Sequence, residues 1–267
     1  MVSTPIGNLA DITLRAIETL RTCDVILCED TRHSRTLLMH HRIETPVQSL
    51  HEHNEARETP RLVARMLGGE RLALISDAGT PLVSDPGARL VRAAIAAGLD
   101  VVPIPGPSAL LAAVVASGLG EGTFTFLGFL PRKRKERDVQ LALLSALAHP
   151  SVLYEAGNRV VDTLKDLVAH GGGERQAAVA RELTKQFEEV KRGTVAELIE
   201  YYGDTPPRGE VVIVVDGASV PVASLDALRE AARGMKEGGA GTREVTQRLV
   251  NEYGASRNVA YRLAHED

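Results

Sequence analysis

Short β-branched runs alternate with longer helical patterns along most of this chain, and that alternation limits its fold more than any other feature. Segments 24–28, 71–76, 100–104, 124–128, 151–155, 177–182 and 211–215 read as strands. Helical periodicity fills 13–22, 31–40, 60–68, 86–97, 108–117, 135–148, 159–170 and 194–202. Several strands, such as Val211-Val212-Ile213-Val214-Val215, are apolar nearly throughout, as strands covered by helices on both faces should be. The expectation is an α/β architecture.

Local signals place the boundaries. Thr13 precedes a helical pattern as an N-cap, and Gly98 follows another as its stop. Asp85-Pro86 reads as a cap followed by a first helical position, and Thr59-Pro60 makes the same start signal. Three glycines within Gly118–Gly122 favour a joint, so the domain boundary is set there, giving units 1–118 and 119–217. Beyond Gly217 the pattern is helical only, over 224–236 and 242–265. A turn at Gly254-Ala255-Ser256 there suggests a helix-turn-helix-like extension, 218–267. The first strand retains only Met1 and Val2, which suggests that the native chain starts a few residues earlier.

With 267 residues and 44% apolar content the chain can build one large core or two ordinary ones. A net charge of −4 excludes indiscriminate nucleic-acid binding, so any such contact must come from a local patch. Residues 220–267 hold seven basic and seven acidic side chains, without the bias of a strong DNA reader. Cys23 and Cys28 fit free thiols in a reducing compartment. No signal peptide and no membrane-length apolar run is visible, so a cytoplasmic protein without membrane association is expected.

The chemistry concentrates in loops that follow strands. The block Ser76-Asp77-Ala78-Gly79-Thr80-Pro81-Leu82-Val83-Ser84-Asp85-Pro86-Gly87 runs from strand end to helix start, where open α/β sheets bind ligands. Its small residues let backbone approach a ligand, and Asp77 suits an amine or a ribose hydroxyl. Ser108, in Pro103–Leu110, is either a helix cap or an anion contact. Ser3–Asp11 forms a third such loop. Asp30 and His33, with His51, Glu52 and His53 on a segment read as extended, form a titratable set. That set faces substrate, binds a metal or is merely solvated; no third ligand stands at a diagnostic spacing, so no metal is expected. Five of the six residues 132–137 are basic, which marks either a solvated helix start or a seat for phosphates.

Together the words TPIGNLADITLRA (4–16), EDTRHSRTLL (29–38), HEHNE (51–55), SDAGTPLVSDPG (76–87), PIPGPSALL (103–111), GFLPRK (128–133), ARELTK (180–185) and PPRGEVVIVV (206–215) resemble the 16S rRNA cytidine 2′-O-methyltransferases of the tetrapyrrole-methylase superfamily. They occur in that family's order and span nearly the whole chain to residue 217. The resemblance implies a two-domain tetrapyrrole-methylase-like fold with a small helical C-terminal extension, S-adenosylmethionine as cofactor, 16S rRNA or the small ribosomal subunit as partner, and a homodimer. It places the cofactor on Pro5, Asp77, Ala78, Gly79, Ser108 and Ala109, and on Tyr154, Leu183 and Gly209 from the second domain. One departure stands out: where relatives carry Tyr-Glu-Ser-Pro-His-Arg, this chain has Tyr154-Glu155-Ala156-Gly157-Asn158-Arg159, and Asn158 cannot act as a base at neutral pH.

For methyl transfer to a ribose 2′-hydroxyl, alignment of oxygen, methyl and sulfur should outweigh base catalysis: about 7–11 kcal/mol against a factor of about 10²–10⁴. Asp30, His33, Glu52 and His53 are the expected proton-handling candidates; Arg32, Arg35, Arg132, Lys133, Arg134, Lys135 and Arg137 are the expected phosphate contacts. Two other readings compete, a small-molecule methylase on the same fold and a non-enzymatic RNA binder. The basic run and helical tail oppose the first, the balanced charge of the tail the second.

Overall fold

The computed structural model describes residues 1–120, 122–203, 205–218 and 224–266. Glu121 of the glycine-rich joint and positions 219–223 and 267 of the extension lie outside them.

The N-terminal part comprises α1 (Leu14–Thr22), β1 (Val25–Cys28), α2 (Thr31–His40), β2 (Val47–Ser49), α3 (Glu52–Leu67), β3 (Leu72–Leu74), α4 (Ala88–Ala96) and α5 (Ala109–Ser117). Its sheet has the order β2-β1-β3, all parallel. Parallel bridges from Val2 to Ile75 and to Ile104 extend it. The run 100–104 thus contributes a single bridge rather than the expected strand. Pro103, which has no N–H to donate, sits beside that bridge. Ile26, Cys28, Ala73 and Ile75 join one core cluster with Leu20 of α1, while Leu27 and Leu74 join another with Leu62 of α3 and Leu90 of α4. Both faces are covered, as the apolar strand sequences require.

The second part comprises β4 (Thr125–Phe129), α6 (Arg134–Ala146), β5 (Ser151–Ala156), α7 (Val160–Ala169), β6 (Gln176–Arg181), β7 (Glu189–Thr194), α8 (Val195–Tyr202) and β8 (Glu210–Val215). Its sheet is mixed, in the order β4-β5-β8-β6-β7, with only β4 and β5 parallel. The pleat explains the unbroken apolar run of β8: Val211, Ile213 and Val215 pack under α6, α7 and α8, whereas Val212 and Val214 pack against Ala113 of α5. Helix α5 therefore covers the second sheet although it precedes the glycine-rich joint in sequence.

The C-terminal helices α9 (Leu225–Glu237), α10 (Thr242–Tyr253) and α11 (Arg257–His265) enclose their own core around Leu228, Val245, Leu249 and Leu263. Gly254 takes the left-handed conformation between α10 and α11, and Ser256 caps α11 through the Val259 N–H.

Three sequence expectations are corrected. His51–Glu55 is not extended: His51 is the N-cap of α3, and the chain is helical from Glu52. Thr59-Pro60 does not start a helix, because Pro60 lies inside α3. The Thr59 hydroxyl donates to the Glu55 carbonyl at 2.7 Å in the turn that Pro60 interrupts. Nor does Asp85 cap a helix at Pro86. Helix α4 begins at Ala88 after Gly87, whose φ is 116°. Its first-turn donors are satisfied from another element: the buried Glu55 carboxylate accepts the N–H groups of Arg89 at 2.7 Å and Leu90 at 3.1 Å. Glu55→Ala should leave these donors unpaired and cost about 1–3 kcal/mol in denaturant unfolding, whereas Glu52→Ala on the exposed face of the same turn should cost little.

Candidate active site

Four loops of the N-terminal part, two after β1 and β3 and two after the bridges at Val2 and Ile104, meet at one end of its sheet, and the tie between two of them is backbone. The Thr4 N–H donates to the Gly79 carbonyl at 2.9 Å, and the Gly79 N–H returns to the Thr4 carbonyl at 3.0 Å. Gly79 has φ 80°, and a Cβ there would lie 3.3 Å from Ile6 and 3.7 Å from the Pro107 carbonyl. Hydroxyls complete the tie. Thr4 donates to the Ser76 carbonyl, Ser76 to the Gly79 carbonyl, and Thr80 to the Pro107 carbonyl.

Above this end a cleft of about 900 Å³ opens toward the second sheet. All nine residues expected to hold the cofactor line it: Pro5, Asp77, Ala78, Gly79, Ser108 and Ala109 from one side, and Tyr154, Leu183 and Gly209 from the other. Ser108 also serves as the cap of α5, accepting the Leu111 N–H at 3.4 Å. Tyr154 sits within β5, edge-on to Phe126 and tilted against Phe129.

Of the expected proton-handling residues only His33 lines the cleft. Asp30 caps α2 through the Arg32 N–H, and the Arg32 guanidinium binds its carboxylate, which holds its pKa down to about 2. Glu52 and His53 are exposed on the first turn of α3, outside the lining. Acidic residues not expected from the sequence do line it: Glu29, Asp85, Glu182 and Glu210. Burial pushes the Glu29 carboxyl up, and Asp77 adds to that. Burial pushes Asp85 up to about 6, with Glu29, Asp77 and Glu210 reinforcing it. Only position after a strand marked Glu29 in sequence, and Asp85 was masked by its resemblance to a cap.

The basic run is divided. Arg137 is buried: its Nε donates to Asp166 at 2.6 Å and its Nη2 to Thr163 at 2.7 Å, and Thr163 passes its own hydroxyl hydrogen to Glu155. It is therefore not a phosphate contact, because its guanidinium is committed to the core of the second part. Arg134 is exposed but paired with Asp138 and Asp166, and Lys133 lies 3.5 Å from Glu136. Arg35, Arg132 and Lys135 are exposed and make no ion pair among the described residues. The described residues contain no group of three or more His, Cys, Asp or Glu side chains that would hold a metal ion. Cys23 and Cys28 are free thiols whose pKa values burial raises, so both stay protonated.

The Ala156-Gly157-Asn158 departure has a packing counterpart. A Cβ on Gly157 would lie 2.1 Å from the Pro207 carbonyl oxygen, and the Gly157 N–H donates to the Gly209 carbonyl at 2.7 Å. The absence of a side chain at position 157 thus lets the 206–209 loop, which carries Gly209 into the cleft, approach closely.

The family model for Tetrapyrrole (Corrin/Porphyrin) Methylases matches residues 1–199. The chain belongs to the tetrapyrrole methylase family. Among similar proteins is a ribosomal RNA small subunit methyltransferase I from Synechocystis sp., 43% identical over all of this chain and 96% of its own length. A protein of the same name from Mesorhizobium japonicum is 52% identical over 82% of this chain and 74% of its own. Among solved structures, the cobalt precorrin-4 methyltransferase CbiF superposes with a TM-score of 0.61 at 18% identity, covering 80% of this chain and 92% of that one. The uroporphyrin-III C-methyltransferase of Thermus thermophilus, solved with S-adenyl homocysteine, gives 0.57 at 18% identity and covers 80% and 95%. These two establish the shared fold.

The close packing of Gly157 is open to a direct test. Gly157→Ala should destabilise the chain by about 1–3 kcal/mol through overpacking, and should weaken ligand binding through the displaced Gly209 loop. Thermal melting with and without S-adenosylhomocysteine measures both effects.

Proposed function

We propose that the chain transfers the methyl group of S-adenosylmethionine to the ribose 2′-oxygen of a cytidine in 16S rRNA. The carrying observation is that one cleft collects all nine residues placed on the cofactor by the sequence resemblance. The relatives named as small-subunit ribosomal RNA methyltransferases support the choice of substrate.

The cleft suits the donor. Its size falls within the range of about 300–1,000 Å³ common for small-molecule sites. Ile6, Val83 and Leu183 offer apolar wall, and Ala78 and Gly79 line the cleft with them. Asp77 and Glu29 supply negative charge suited to a sulfonium and an ammonium. When bound, the donor supplies an electrophilic methyl group, so the chain's own tasks are alignment, desolvation and acceptance of one proton.

The acceptor enters from the side where Arg32 and Arg35 of α2 and the stretch Arg132, Lys133, Arg134 and Lys135 would hold phosphates. His33 and Phe129 stand at this entrance, Phe129 being exposed at the end of β4 and only three residues before Arg132. We also take the chain as a homodimer acting in the cytoplasm, in three units: 1–118, 119–217 and the helical extension 218–267. No described helix is long and apolar enough to cross a membrane.

Purified chain, labelled S-adenosylmethionine and small ribosomal subunits lacking the modification should give labelled RNA, with one 2′-O-methylcytidine on mapping. Label in a porphyrinoid and none in RNA would refute the reading. Neutralising Arg35, Arg132 and Lys135 should weaken RNA binding and lower the log–log salt slope by about 0.7–0.9 for each phosphate that is no longer neutralised. Neutralising Arg32 or Arg134, already paired with carboxylates, should change it less.

A further inference from the structure

We infer that Asp85 is the general base that receives the 2′-hydroxyl proton of the acceptor ribose. The inference rests on the methyl-transfer reading above and adds the residue that handles the proton.

The first ground is that Asp85 has been relieved of a structural role. A carboxylate just before a helix ordinarily caps it. Here Glu55 takes the Arg89 and Leu90 N–H groups instead, and α4 starts only after Gly87. Among the described residues nothing donates a hydrogen bond to the Asp85 carboxylate, and no cation pairs with it. An acid half-buried in a cleft without a partner lacks a structural reason to be there.

The second ground is placement. Asp85 lines the cleft with Ser84, Phe129 and Tyr154, on the side where the second sheet approaches. Leu82 at φ 73° and Ser84 at φ 69° both hold the left-handed conformation, which side-chain-bearing residues rarely adopt. Such backbone persists where its surroundings over-determine it. Here Gly87 is seated so closely on Leu74 and Leu82 that a Cβ would lie 2.4 Å and 3.0 Å from them. The loop therefore presents Asp85 in a fixed position.

The third ground is chemical. The charged and titratable groups acting on Asp85 are the carboxylates of Glu29, Asp77 and Glu210, and Tyr154 is coupled to it as well. None is a cation: burial first, and then their repulsion, push the carboxyl up to about 6. A carboxyl raised that far is a stronger proton acceptor than an ordinary aspartate, as a general base near neutral pH requires. Asp30, held at about 2 by Arg32, is far weaker as a proton acceptor.

The step balances. The ribose oxygen bonds to the methyl carbon, and the carbon–sulfur bond breaks with its electron pair going to sulfur. The O2′–H bond breaks and its proton passes to the Asp85 carboxylate. A cation and a carboxylate become a neutral thioether and a neutral carboxylic acid.

Asp85→Asn and His33→Asn should be compared with wild type on small ribosomal subunits from about pH 5 to about pH 9. Asp85→Asn should lose about 10²–10⁴-fold in rate and lose the decline of activity below about pH 6. Its affinity for S-adenosylhomocysteine, by calorimetry, should match wild type. Melting gives a readout independent of turnover. The folded-state pKa lies above the ordinary 3.8, so ionising Asp85 opposes folding above about pH 6 and has no effect well below 3.8. Asp85→Asn should therefore melt above wild type at pH 8, with the gain vanishing towards pH 3. An Asp85→Asn enzyme with wild-type rate and acid limb overturns the assignment, as does loss of that limb in His33→Asn alone. Wild type that cannot methylate subunits overturns the methyl-transfer reading and this assignment together.

Discussion

Two backbone hydrogen bonds between Thr4 and Gly79 carry much of the architecture around the cleft. They join the first loop of the chain to the loop after β3, and Thr80 joins that loop in turn to Pro107. A bulky side chain at Gly79 would press on Ile6 and on the Pro107 carbonyl, so the loops can converge only on a small residue. The same bonds leave the edge of Ala78-Gly79 facing the cleft. Pinning the loops and exposing backbone to a ligand are thus one constraint rather than two.

Electrostatics divides the remaining work. Carboxylates line the cleft, while the unpaired cations Arg35, Arg132 and Lys135 are exposed on α2 and after β4, two elements that also supply lining residues. A positively charged donor and a polyanionic acceptor would thus meet fields of opposite sign in one site. The net charge of −4 conceals this separation. Within the second part, the Arg137–Asp166–Thr163–Glu155 network fixes α6 and α7 against β5, which places Tyr154 in the cleft.

Most long elements were legible because their periodicity is strong, and β8 could be read as doubly covered because every residue from 211 to 215 is apolar. What escaped did so for local reasons. Strand β2 has three residues, and β7 at the sheet edge reads Glu-Val-Lys-Arg-Gly-Thr, too polar to stand out. Pro60 argued for a helix start because nothing in sequence shows that α3 tolerates the loss of one hydrogen bond. The nine positions that the resemblance places on the cofactor came from the motifs and all line the cleft. Asp85 and Glu29 were overlooked because their significance depends on what Glu55 and the facing sheet do, and both lie far away in sequence.

The central claim is that both sheets close on one molecule of methyl donor. Hydrogen exchange read by mass spectrometry, with and without S-adenosylhomocysteine, tests it without requiring turnover. The account predicts protection in residues 3–9, 76–87 and 104–110 and, in the same experiment, in 181–185 and 207–212. Protection confined to one set, or absent from both at saturating ligand, would contradict it.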